Sequence, residues 1–140
     1  MSSLGTQRTK LSLHLKHPTR DLSTICRTLG VRPKIIWKEG EERRTPKGRR
    51  LAGVRESSYC SIDLGATSKV ELSKKIESAV RSLKPHRAIL RRLTSTGGRI
   101  SFYVGWFCDN DTGETLSSEI LRQMTDMEIA LDLNIYLADA

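Results

Sequence analysis

Leu11, Leu13 and Leu15 alternate with Ser12, His14 and Lys16, the period-two pattern of a strand with one face in a core. Beyond Pro18, Thr19 is placed as the N-cap of a short helix whose apolar stripe is Leu22, Ile25, Cys26 and Leu29. Gly30 supplies the left-handed stop that commonly ends a helix. Pro33 then keeps the chain extended toward residues 35–37, and Gly40 turns it.

From residue 38 to 57 the pattern is lost. The segment is polar and basic, broken by Gly40, Pro46, Gly48 and Gly53, and is read as a long loop. Residues 59–64 return to alternation, with Cys60, Ile62 and Leu64 inward and Tyr59, Ser61 and Asp63 outward. Ser68-Lys69-Val70-Glu71 matches a capping box, ahead of a helix with Leu72, Ile76, Ala79, Val80 and Leu83 on one face. A second stripe, Ile89, Leu90 and Leu93, follows Pro85 and runs to a Gly97-Gly98 turn.

Residues 99–108 are apolar on both faces, Phe102, Val104 and Trp106 on one and Tyr103 and Phe107 on the other. A strand of that kind sits centrally in its sheet. After a turn over residues 109–115, Ser117 is the expected cap of a helix burying Ile120, Leu121, Met124 and Met127. The last strand is expected to bury Leu131, Leu133, Ile135 and Leu137, with Asp132, Asn134 and Tyr136 outward. The order predicts an α+β fold: a single-layer, mainly antiparallel sheet of four to five strands with two to three helices packed on one face. Residues 1–10 are expected to be disordered or extended, and 11–140 to form one domain with the basic loop at 38–57.

A chain of 140 residues buries roughly 68% of its unfolded surface on folding, enough for a core without staples. At 37% hydrophobic and 29% charged, it has a globular composition. The polar N-terminus has no apolar signal segment, and no apolar run reaches the roughly 18 residues of a membrane helix. A cytoplasmic location is therefore expected. The three cysteines agree, since an odd number is a poor disulfide framework. Cys26, Cys60 and Cys108 all fall on apolar stripes, where a thiol acts as a small hydrophobe.

Charge divides the chain. Residues 1–108 carry 23 Lys/Arg against 8 Asp/Glu, and residues 109–140 carry Arg122 against eight acidic residues. A positive field of that size steers nucleic acid or acidic protein toward a surface; it also serves solubility alone.

Several stretches resemble one bacterial family. They are Leu29-Gly30-Val31 with Pro33, Trp37-Lys38 with Gly40-Glu41, and a variable basic loop. Toward the end come Gly113, Leu116-Ser117-Ser118-Glu119 and Asp132-Leu133-Asn134-Ile135-Tyr136. The family is the one known as domain of unknown function 4279, and the likeness spans about residues 11–137. Tyr59 departs from it, because the family tends to place tryptophan there. The resemblance implies a fold and brings no activity, substrate or catalytic residue.

No reaction is spelled out by the residues. His14 and His17 stand three apart on a strand and so face opposite ways, unsuited to one ion. Counted from Asp109, the glycine of Asp109-Asn110-Asp111-Thr112-Gly113 falls at position five where a calcium loop needs it at six. Gly97-Gly98 precedes a strand, and a phosphate loop must precede a helix. Neither metal nor cofactor is expected.

Two surfaces remain. One is the basic segment with Arg43, Arg44, Lys47, Arg49 and Arg50, whose guanidinium forks suit phosphates or carboxylates, or which is a solvated loop. The other is the outward sheet face with Tyr59, Tyr103, Phe107 and Tyr136, a platform for bases or a set of anchors for a protein, or a face covered by a further layer. The expected function is a non-catalytic protein-interaction module whose partner is another protein or a second copy. The alternatives are a nucleic-acid binder using both surfaces, and an enzyme whose site would need a histidine and a carboxylate in a polar cleft.

Overall fold

The computed structural model describes residues 7–137; the expectation for residues 1–6 lies outside them. The chain order is β1 (Arg8–His17), α1 (Ser23–Leu29), β2 (Ile35–Trp37), β3 (Glu42–Arg44), β4 (Arg50–Val54) and β5 (Ser58–Asp63), then α2 (Leu72–Leu83), α3 (Arg87–Ser95), β6 (Arg99–Cys108), α4 (Ser118–Asp126) and β7 (Ile129–Leu137). A 3-10 turn at Lys84–His86 joins α2 to α3, where Pro85 can contribute no N–H to a continuous helix.

Five strands form one sheet in the order β2-β5-β1-β6-β7, and β3 and β4 pair separately. The first three pairings are antiparallel. β6 and β7 run parallel, as the α4 crossover between them requires. The α+β class is as the periodicity predicts, and β6 lies between β1 and β7 as its two apolar faces imply.

The core is on one side of the sheet. Leu11, Leu13, Leu15, Cys60, Ile62, Ile100, Phe102, Val104 and Trp106 meet Leu22 at the cap of α1 and Ile25, Leu72, Ile76, Val80, Leu90, Leu93, Ile120 and Met124 from the helices. All three cysteines are free and buried. Cys26 Sγ lies 3.8 Å from Cys60 Sγ, and burial pushes the Cys60 thiol well above its ordinary value. Gly98 permits the tight passage from α3 into β6: a Cβ there would stand 2.6 Å from the Leu93 carbonyl oxygen.

Local details depart from expectation in four places. Thr19 does not cap α1; His17, buried on the core side of β1, accepts the N–H groups of Thr19 and Arg20 through Nδ1. The proposed capping box does not form. Ser68 bridges to Thr9 through its backbone, and the first amides of α2 are taken by a distant carboxylate, Glu114. The segment read as a loop contains the β3–β4 hairpin, whose strand residues are all exposed. It was invisible to periodicity because it buries nothing.

The fourth departure concerns β7. Its predicted phase is right, since Leu131, Leu133, Ile135 and Leu137 pair with the core-side residues Phe102, Val104, Trp106 and Cys108. Its burial is not. Ile129 is buried, but Leu133, Ile135 and Leu137 are 50%, 55% and 74% exposed. β7 is the sheet edge, and the helix buried face contributed by Ile120 and Met124 leaves the outer part of the strand uncovered. Leu121 is exposed as well.

Candidate functional site

Because the helices take one side of the sheet, the other side carries the even-phase residues of β1 and β7 and the odd-phase residues of β2, β5 and β6. Across it runs a row of rings. Trp37 on β2 meets Tyr59 on β5, with centroids 4.8 Å apart and planes tilted by 36°. Tyr59 sets an edge on His14 of β1 at 5.5 Å. His14 stacks on Tyr103 of β6 at 5.0 Å, within 6° of parallel. The Tyr103 hydroxyl lies 3.1 Å from that of Tyr136 on β7, and Tyr136 stacks on Phe107 at 4.8 Å.

All five strands of the sheet therefore contribute to one connected row, and the four predicted aromatics Tyr59, Tyr103, Phe107 and Tyr136 belong to it. Most contacts are diagonal: His14 stands opposite Ser101 in the register, while Tyr103 stands opposite Ser12. Long side chains reach such diagonal neighbours. Gly105 opens the space between Tyr103 and Phe107, since a Cβ there would lie 3.3 Å from Phe107 Cε2 and 3.7 Å from Tyr136 Cε2. Asn134 donates to the Tyr103 hydroxyl at 2.9 Å.

Parallel planes at these separations are offset stacks. His14 and Tyr103 each cover a face of the other, as do Phe107 and Tyr136. Phe107 and Tyr136 remain exposed despite their stack. Burial pushes the His14 imidazole below its ordinary value, against the opposing pull of Asp132. The Tyr59 phenol is raised by burial, and the Tyr103 phenol chiefly by its bond with Tyr136.

Beside the row is a hollow of about 230 Å³ lined by His14, Lys16, Tyr59, Arg99, Ser101 and Asp132. Two cations stand at it against one carboxylate. It holds a histidine and an aspartate, though no hydrogen bond joins these two among the described residues. On the helix side, a larger apolar hollow of about 370 Å³ opens between α2 and the sheet. Its Lys75 is already bonded to Thr9 and Ser68.

The predicted basic residues lie elsewhere, on the β3–β4 hairpin. Two of them staple it. Arg43 donates to the Ala52 carbonyl, and Arg44 to the Gly48 carbonyl and the Glu42 carboxylate. Arg50 stands 3.8 Å from Glu42. Lys47 and Arg49 are exposed at the turn. The hairpin joins the aromatic row at its root, where the Arg55 guanidinium lies 3.7 Å over the Trp37 ring and Trp37 Nε1 donates to the Ser57 carbonyl.

Sequence reasoning did not place Trp37 or Asn134 in the site, and it set Arg55 in the basic loop without its contact to Trp37. The signal available for Trp37 was its position on a strand two residues from Ile35, but only the β2–β5 pairing sets it against Tyr59.

A family model described as domain of unknown function (DUF4279) matches residues 7–138. No curated protein and no solved structure matches the chain.

Proposed function

The chain belongs to the DUF4279 family, and from that premise we propose that it is a non-catalytic protein-interaction module whose contact surface is the aromatic row of the open sheet face. The observation that carries this reading is the connected run Trp37–Tyr59–His14–Tyr103–Tyr136–Phe107 on a helix-free side. Tyrosine and tryptophan held rigid by their neighbours give large contact area at low entropic cost, the pattern of anchors in protein interfaces. Hydroxyls of Tyr103 and Tyr136 at the rim add directional bonds. The free, buried thiols support a cytoplasmic setting, where cysteines stay reduced.

Nucleic-acid binding is the second reading, favoured by Lys47, Arg49 and Arg50 on the hairpin and by Lys16 and Arg99 at the hollow. Against base stacking, one face each of His14, Tyr103, Phe107 and Tyr136 is already taken by a neighbouring ring. An enzymatic reading has only the proximity of His14 and Asp132 in its favour.

Affinity capture with the purified chain tests the choice. The interaction reading expects a stoichiometric protein that survives nuclease and high salt, is lost with Tyr103→Ala or Tyr136→Ala, and is retained with Arg49→Ala/Arg50→Ala. Capture abolished by nuclease, by salt and by the arginine variants would overturn it in favour of nucleic acid.

A further inference from the structure

The outer edge of β7 is a second unpartnered feature of the sheet, sharing Tyr136 with the aromatic row. Among the described residues, this edge pairs with no strand, and its outward backbone groups form a ready template for another strand. Sheet edges are ordinarily blunted by lysine, proline, a bulge or brevity. The opposite edge follows that rule: β2 has three residues, flanked by Pro33, Lys34 and Lys38. β7 does not. It is nine residues long, contains Asp132 as its one charge, and is apolar at Leu133, Ile135, Tyr136 and Leu137.

We propose that β7 pairs with β7 of a second copy, antiparallel about a two-fold axis perpendicular to the sheet, making a continuous ten-stranded sheet. Such an axis keeps the two helix sides together, so only residues of the same face can stand opposite each other. That leaves few registers. One of them opposes Asp132 to Asp132 of the other copy, a like-charge pair on one face that is unfavourable.

The register that overlaps all nine residues centres on Leu133. It sets Leu133 opposite Leu133 of the second copy, Leu131 opposite Ile135, and Ile129 opposite Leu137. On the open face it sets Asp132 opposite Asn134, which accepts no penalty of like charge, and the large Tyr136 opposite the small Ala130. The strand is complementary to itself in this register.

The exposed parts of Leu133, Ile135, Tyr136 and Leu137 amount to on the order of 450 Å², over half the roughly 800 Å² that one partner contributes to a standard interface. On the core-side face, Leu133, Ile135 and Leu137 also line a groove shared with Trp106, Cys108 and the loop over residues 110–114, so their apolar surface reaches the edge without a helix over it. Pairing through backbone groups and Leu133 is separable from the aromatic row, with which the edge shares only Tyr136.

Sedimentation equilibrium of the purified chain, taken to about 100 µM to reach weak interfaces, is the test. The expected mass is twice the 15.8 kDa of the chain, returning to monomer in Leu133→Lys and Ile135→Lys. Both positions are exposed, and circular dichroism checks that the variants stay folded. Under mild oxidation Leu133→Cys should cross-link to itself and Ile135→Cys should not. A monomer at every concentration overturns the proposal. So does a dimer that persists in both lysine variants, or a cross-link through position 135 in place of 133.

Discussion

The carboxylate of Glu114 accepts the backbone N–H of Leu72 at 2.7 Å and that of Ser73 at 2.8 Å, capping a helix that begins 42 residues earlier in the chain. A carboxylate at this place also complements the positive end of the helix dipole. Glu114→Ala should therefore cost about 1–3 kcal/mol, the range for removing a charged partner from partly buried donors. Ser68→Ala should cost far less, because its hydroxyl accepts only a 3.4 Å bond from Val70. Urea denaturation of both variants measures the difference; equal losses would restore the local capping box.

His14 should show its environment in a pH titration. Its folded pKa is lowered from 6.5 by burial, so the unfolded chain takes up the proton first. Stability is then at its full value above about pH 6.5 and falls as the pH drops from there to the folded pKa, below which this contribution is constant. His14→Phe should flatten that slope while keeping a ring against Tyr103. The histidine resonances followed by NMR give the folded midpoint directly, and a midpoint above 6.5 would contradict the burial argument.

The β3–β4 hairpin should be the first place trypsin cuts. A lone two-stranded hairpin is marginally stable in water, and Lys47, Arg49 and Arg50 are exposed on it. Mass spectrometry should find early cleavage after these residues, with the five-stranded sheet still protected. Arg55→Ala removes the cation over Trp37, worth about 0.5–1 kcal/mol at an exposed site, and should speed the cut.

Gly98, just before β6, and Gly105, within it, should respond differently to the same methyl group. Gly98→Ala drives a Cβ to 2.6 Å from a backbone oxygen and 2.8 Å from Leu93 Cγ, which should cost about 1–3 kcal/mol or more in thermal or chemical unfolding. Gly105→Ala meets the Phe107 ring at 3.3 Å, a side chain on the exposed face that can shift. Its effect should appear in the ring-current shifts of Phe107 and Tyr136 more than in the melting temperature.

What the sequence made legible is whatever local rules decide. The phase of every long strand, the Gly30 stop of α1 with its φ of 72°, and the Ser117 cap that accepts from Ile120 are all read within a few residues. The remainder depends on neighbours far along the chain. Glu114 gives no local sign that it will cap α2. Alternation fixes which face Leu133 and Ile135 take, but burial depends on β7 being the edge strand. The aromatic row is half legible for the same reason: the outward phase of Tyr59 and Tyr103 follows from alternation, whereas their linkage through His14 needs the order β5-β1-β6.

That order also has a consequence for synthesis. β1 lies between β5 and β6, with Leu13 opposite both Ile62 and Phe102. As the chain leaves the ribosome at about 5–20 residues per second, β1 gains its first neighbour when β5 emerges and its second only after β6 follows. In that interval one side of its leucine-bearing backbone is open to any passing strand. The central strand of the sheet therefore stays open to mispairing until most of the chain has been made.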